Sequence, residues 1–230
     1  MNGELPAGMI ALTLRVAAVA TLLALPPAVA LGYTLARHRF RGRSLVQALV
    51  ALPMVLPPVA VGLGLLWLFG RRGPLGALLD SVGIEIIFTW YAAVLAAALV
   101  GFPLFARACE QAFAEVDPRY ERMARSLGAS PLRAFATVSV PLARRGILYG
   151  ALLAFARGLG EFGATAIVAG IVPARTETLA LGIWSRIQTG DDAGARALCA
   201  ASFALALGAM LVAELWLRRE APAVVSAARP

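Results

Sequence analysis

The chain has 230 residues, 60% of them hydrophobic and only 15% charged, with a mean hydropathy of +0.78. That balance excludes an ordinary water-soluble enzyme. The formal charge of +8 comes from 21 arginines without a lysine, so nucleic-acid binding has to be weighed, and the placement of the arginines decides against it.

Three runs, Val16 to Ala36, Ser44 to Gly70 and Ile86 to Ala106, contain no Asp, Glu, Lys or Arg. Each is long enough to cross a bilayer, which takes about 20 helical residues. Gly146 to Ala174, with only Arg157 and Glu161 inside it, and Ala197 to Ala213 are two further candidates. The expectation is an all-α polytopic membrane protein with five transmembrane helices, forming one domain over residues 1–230 with its core at about 9–217.

In chain order, the first span covers roughly Met9 to Ala36, and Pro26-Pro27 should bend it. No basic residue precedes Arg15, which argues against a cleaved signal and for a retained helix. After the tight link Arg37 to Arg43, the second span is interrupted by Pro53 and Pro57-Pro58, with Gly62 and Gly64 beyond. The break is either a kink or part of a water-lined path, where freed carbonyls are tolerated. An outer stretch, Arg71 to Glu85, carries Gly73-Pro74 as turn chemistry.

The third span leads into Arg107 to Arg145. Here Asp117 caps a helix opened by Pro118, and Gly128 ends it in a left-handed turn. These signals bracket ten residues, about 15 Å of helix. Tyr120, Met123, Ala124 and Leu127 fall at i, i+3, i+4 and i+7, making one apolar stripe, while Arg119, Arg122 and Arg125 lie mostly elsewhere. Ser130-Pro131 opens a second helical piece that Pro141 should terminate, so residues 115–141 read as a short helical hairpin. In the fourth span Gly146, Gly150, Ala154 and Gly158 form a small-residue ridge for close helix packing, with a partner in this chain or in another copy.

If five helices alternate sides, 14 arginines share one side, including Arg37 to Arg43, Arg107 to Arg145, and Arg218, Arg219 and Arg229. The opposite side receives five, partly offset by acids. The positive-inside rule then sets the amino terminus outside and the carboxyl terminus in the cytoplasm.

Arg157 and Glu161 are ionisable groups inside a span, where each uncompensated charge costs roughly 2.5–3.5 kcal/mol. At i, i+4 they are either a structural ion pair or part of an anion route. Glu161 lies in the glycine-rich segment Gly158-Leu159-Gly160-Glu161-Phe162-Gly163-Ala164-Thr165, a gate or a tight crossing. His38 lacks the partners of a metal site and reads as a surface residue. Cys109 and Cys199 read as packing residues. Without lysine the chain cannot supply a phosphate-binding P-loop, and it has no nucleophile elbow, zinc pair or Cys-x-x-Cys. A membrane enzyme is thereby a weak reading.

The loop resembles that of the type I permease subunits of bacterial ABC importers, which carry Glu-Ala-Ala, three residues, Gly, nine residues, Ile-x-Leu-Pro. The matching positions are Arg122-Met123-Ala124, Gly128 and Val138-Ser139-Val140-Pro141. The spacing is intact, but Arg122 replaces the Glu and Met123 the first Ala; Glu121 stands one position earlier, about 100° around the helix. The phrases Leu52 to Pro58, Gly70 to Gly73, Leu127 to Pro131, Phe155 to Thr165 and Ile187 to Gly190 are similar to the molybdate-importer permeases, and the Gly160 to Thr165 phrase is shared with sulfate permeases.

The resemblance implies the type I ABC permease fold and a multi-pass location in the bacterial cytoplasmic (inner) membrane. It implies a homodimer, two cytoplasmic ABC ATPase subunits that use ATP and Mg, and a periplasmic or extracellular oxyanion-binding protein. The chain itself would bind no cofactor, metal or nucleic acid and would not be catalytic. Coupling to the ATPase would fall to Arg119, Tyr120, Glu121, Arg122, Met123, Ala124, Leu127, Gly128 and Pro141. The path or gate would involve Arg157, Gly160, Glu161, Phe162, Gly163 and Thr165. Tungstate and sulfate are the neighbouring substrate readings, and an ATP-independent secondary transporter or a membrane scaffold are the rival classes; no internal repeat supports the former.

Overall fold

A computed structural model describes residues 4–219; the remaining ends of the expected 1–230 domain, including Arg229, lie outside the described residues. Every regular element among these residues is helical. The first, α1 (Glu4–Arg37), runs unbroken through Pro26-Pro27. Then α2 (Arg43–Val55) and α3 (Pro58–Phe69) diverge by 110°. A proline pushes the residue before it out of the helical region, and Leu56 is accordingly extended (φ −67°, ψ 143°), while Pro58 occupies the first turn of α3, where no N–H is missed. Pro53, expected to interrupt, stays inside α2; so near the helix end it removes a single backbone bond. Gly73 closes the turn expected there, its N–H donating to the Gly70 carbonyl at 2.7 Å, and Pro74 then opens α4 (Pro74–Asp80).

Next come α5 (Trp90–Glu115) and α6 (Pro118–Ser126). Beyond them α7 (Pro131–Ala134), a π-helical segment (Phe135–Ser139) and α8 (Val140–Leu159) form one continuous helix. Pro141 therefore does not terminate a hairpin. The wider π turn just before it, in which the Val140 N–H donates to the Phe135 carbonyl, relieves the crowding of the ring against the preceding turn. The expected span Gly146 to Ala174 is likewise corrected: the helix covers Pro131–Leu159 and stops at Gly160. It is followed by the short α9 (Gly163–Val168) and a left-handed Gly170. The last elements are α10 (Leu179–Gln188), too short to register as a span, and α11 (Asp192–Arg219). Among the described residues four helices are long and apolar enough to cross a membrane, five if the bent pair α2–α3 counts as one crossing.

The centre of the bundle is α5, flanked by α1 and α8. Its buried residues are largely alanines, with Gly101, Phe105, Cys109 and Phe113. Small side chains suit this arrangement, since helices in lipid associate through close packing rather than a hydrophobic drive. The small-residue ridge of α8 finds its partner within the chain. A Cβ on Gly150 would sit 2.7 Å from that of Ala108, one on Gly146 would strike Ala112, and Gly158 faces Ala17 of α1. Cys109 is buried as expected, whereas Cys199 is exposed on α11. On α10, the Leu179 N–H donates to Thr13 Oγ1 of α1 at 2.9 Å.

Candidate functional site

The sequence signals around α6 act as read. Asp117 accepts from the Arg119 N–H at 2.8 Å, and Gly128 adopts φ +92°. The Ala129 N–H reaches the Ala124 carbonyl and the Gly128 N–H the Arg125 carbonyl, the paired closure that a left-handed residue makes possible. Between these ends no residue of α6 is buried. Tyr120, Met123 and Leu127 are 56%, 61% and 88% exposed, with Ala124 half-buried beside them. The apolar stripe is thus left open on a helix closed at both ends.

The other side of α6 is fastened to the bundle by Glu121. Its Oε1 accepts from the Tyr33 hydroxyl and its Oε2 from the Ser139 hydroxyl at 3.0 Å, and the Arg37 guanidinium lies 3.5 Å away. Tyr33 and Arg37 belong to α1 and Ser139 to the π segment, so one carboxylate joins three elements. Arg37 also donates to the Val116 carbonyl at 2.9 Å. Tyr33, Phe113 and Phe135 pack edge-on and tilted beneath the carboxylate. The 100° offset from the family's motif position therefore turns Glu121 inward, while Arg122 faces solvent.

The second constellation lies where the long helix stops. Arg157 Nη2 is 3.0 Å from Glu161 Oε2, with the side chains 34% and 3% exposed. The other oxygen of Glu161 accepts from the Ala164 N–H at 2.9 Å, capping α9. Gly163 abuts Pro58, and a Cβ there would sit 2.6 Å from the proline Cβ; Gly62 of α3 similarly meets the Ala164 backbone. The proline break of the second span and the glycine break after α8 are thus brought into direct contact. Phe162 packs at a tilt against Trp184 of α10, with ring centroids 5.7 Å apart, and Gly160 is exposed. Thr165 is buried within α9 and faces no open surface. Pro141 lies at the start of α8, two residues beyond Ser139.

Sequence reasoning missed three polar anchors. Arg15 lies inside the helix that crosses, since that helix begins before the uncharged run, and its guanidinium sits 4.1 Å from the Trp90 ring centre. Glu110 receives Gln47 at 2.7 Å, Arg43 at 3.1 Å and Arg107 at 3.0 Å, tying the otherwise unburied α2 to α5. On the opposite end Arg71 donates to Glu85, which raises its pKa above the ordinary value. Apart from Arg107–Glu110, an i,i+3 pair within α5, these pairings join residues far apart in the chain, and no local pattern encodes them.

Comparison with known proteins bears on this geometry. The profile of the family described as "Binding-protein-dependent transport system inner membrane component" matches residues 28–222. The molybdenum transport system permease protein ModB of Escherichia coli (strain K12) is 45% identical over 210 residues, covering 90% of this chain and 91% of that protein. Among solved structures, a bacterial ABC transporter that imports the acidic polysaccharide alginate superposes with a TM-score of 0.73 at 16% identity, over 96% of this chain and 82% of that one. The MetNI methionine ABC transporter, in an inward-facing form, gives 0.71 at 18% identity over 96% and 100%. At such identities the structures speak to fold alone.

Proposed function

This chain belongs to the family of binding-protein-dependent transport system inner membrane components, and from that premise we propose that it is the molybdate-translocating permease of an ATP-driven importer. It is a multi-pass inner-membrane subunit, and ATP hydrolysis resides in separate subunits. Two copies form the pathway, two ATPases bind on the cytoplasmic face, and an oxyanion-binding protein delivers cargo from outside. The arginine-rich end, with α6, faces the cytoplasm.

The observation that carries this reading is the exposed stripe Tyr120, Met123 and Leu127 on a helix locked by Asp117 and Gly128. Such a peg suits a groove in an ATPase. Arg119 borders the stripe, Arg122 and Arg125 lie on the far side of α6, and Glu121 transmits its movement. When ATP draws the two motors together, the pegs follow. Ser139 and Pro141 lie at the start of the helix that carries the pull to Gly160. There Glu161, its partner Arg157 and the Phe162-Gly163 turn form the gate beside the Pro57-Pro58 break. Arg157, one-third exposed, offers positive charge to a tetrahedral dianion, and Glu161 holds it in place. Thr165 serves by packing α9.

The test is uptake by the reconstituted complex of permease, ATPase and binding protein. ATP-dependent molybdate uptake, with tungstate competing strongly and sulfate weakly, is the expected result. Uptake driven by an ion gradient without ATP refutes the reading; stronger competition by sulfate reassigns the cargo.

A further inference from the structure

Behind α6, on the side away from the stripe, lies a recess of about 550 Å³. Its basic residues are Arg37, His38, Arg122 and Arg125; Phe135 and the largely exposed Leu132 supply an apolar wall. Glu121 also lines it, but that carboxylate is engaged by Tyr33, Ser139 and Arg37. Three arginines against one acid leave the recess positive. Arg37 is nine-tenths buried at the back of the recess, where its charge adds to that of the exposed Arg122 and Arg125. The volume falls within the range of small-ligand sites.

The setting narrows the ligand. The crossing helix Ala7–Arg37 has 31 residues, about 46 Å of helix, against about 30 Å of hydrocarbon and 40–45 Å with headgroups. Its last turn, with Arg37 and His38, therefore emerges in the headgroup layer. Positive charge beside an apolar wall at that level matches an anionic lipid phosphate with its chains running into the bilayer. The recess side of α6 is built from Pro118, Glu121, Arg122 and Arg125, and the stripe from Tyr120, Met123, Ala124 and Leu127. The two sets are offset by two positions, about 200° around the helix. A motor docked on the stripe leaves the recess open.

We infer that this recess is a binding site for the phosphate group of an anionic phospholipid of the cytoplasmic leaflet, which steadies the coupling helix from behind. The inference rests on the reading of α6 as the cytoplasmic coupling element. The test uses the whole detergent-solubilised complex with its ATPase, stripped of lipid by extended washing and titrated with phosphatidylglycerol, phosphatidylcholine or inorganic phosphate, with bound species counted by native mass spectrometry. One phosphatidylglycerol per permease chain, in preference to phosphatidylcholine, is expected. Arg122→Gln and Arg125→Gln should each weaken it about fivefold. Both side chains are exposed, so these variants fold even if Arg37→Gln, which also loses the Val116 contact, does not. Equal retention of the two lipids, or retention indifferent to both substitutions, overturns the site. Tighter binding of inorganic phosphate than of the lipid overturns the lipid as occupant. A complex that keeps its ATPase while binding no lipid refutes this inference alone; one that loses its ATPase in the wild type refutes the coupling reading beneath it.

Discussion

Replacing Glu121 by alanine isolates the link between peg and bundle. The carboxylate accepts two side-chain hydrogen bonds and faces Arg37, with the pair's side chains 15% and 10% exposed. Hydrogen bonds to a charged group contribute about 1.5–3 kcal/mol each, so two at the lower figure give about 3 kcal/mol. That corresponds to about 150-fold in the balance between a fastened and a loose α6. The released Arg37 would be buried without its counter-charge, which adds to the cost. Glu121→Gln keeps a carbonyl acceptor and should lose less. The assay is ATP hydrolysis and molybdate uptake measured side by side in proteoliposomes containing the full complex. Glu121→Ala should hydrolyse ATP while uptake falls at least tenfold, because a loose peg slips instead of pulling; Tyr33→Phe, losing one bond, should fall between. A fully assembled Glu121→Ala complex with wild-type uptake per ATP refutes the reasoning.

Three further outcomes are expected. Leu127→Glu, which sets a charge at the most exposed point of the stripe, should release the ATPase during purification without affecting insertion of the permease; ATPase retained at normal stoichiometry contradicts the docking face. Gly128→Val places a β-branched residue at φ +92° at a cost of about 1–3 kcal/mol and should impair uptake, whereas Gly128→Asn, tolerant of that conformation, should retain most of it; equal behaviour of the two would show that backbone conformation is not the reason for the glycine. The double variant Arg157→Gln, Glu161→Gln preserves the cap on α9 and should assemble normally but lose oxyanion uptake; failure to insert or assemble instead assigns the pair a purely structural role.

How much of this was legible in the sequence depends on the range of the interaction. Asp117, Pro118 and Gly128 define α6 because capping acts within four residues, and the structure obeys it to the hydrogen bond. The hydropathy runs located the crossing helices, but Pro141 misled, since a proline reads as a stop unless the turn before it widens, and the π segment Phe135–Ser139 has no local signature. The same blindness placed the end of the fourth span fifteen residues too far along, at Ala174 rather than Leu159. Its apolar composition continues past Gly160, and only the folded chain reveals that Glu161 turns back to cap a new helix. Glu121 was visible as a residue out of register with the family motif, yet its purpose depended on Tyr33, 88 positions away.

These contacts form a continuous mechanical line. The peg is fastened through Glu121 to Ser139, which belongs to the π segment leading without interruption into α8. At the far end of α8, Glu161 is held by Arg157 and itself holds the first turn of α9. That helix lies glycine-to-proline against α3, at Gly163 with Pro58 and at Gly62 with Ala164. Spatial continuity alone does not establish coupling; what it requires is an element with two discrete arrangements biased from both ends. In the proposed mechanism the two interrupted helices would be that element, because a short helix between breaks can reorient as a unit without sacrificing backbone bonds inside long helices. A motor pulling on α6 would then act on the Pro58–Gly163 contact through one stiff rod, and loosening either end of that rod should uncouple hydrolysis from transport in the same way.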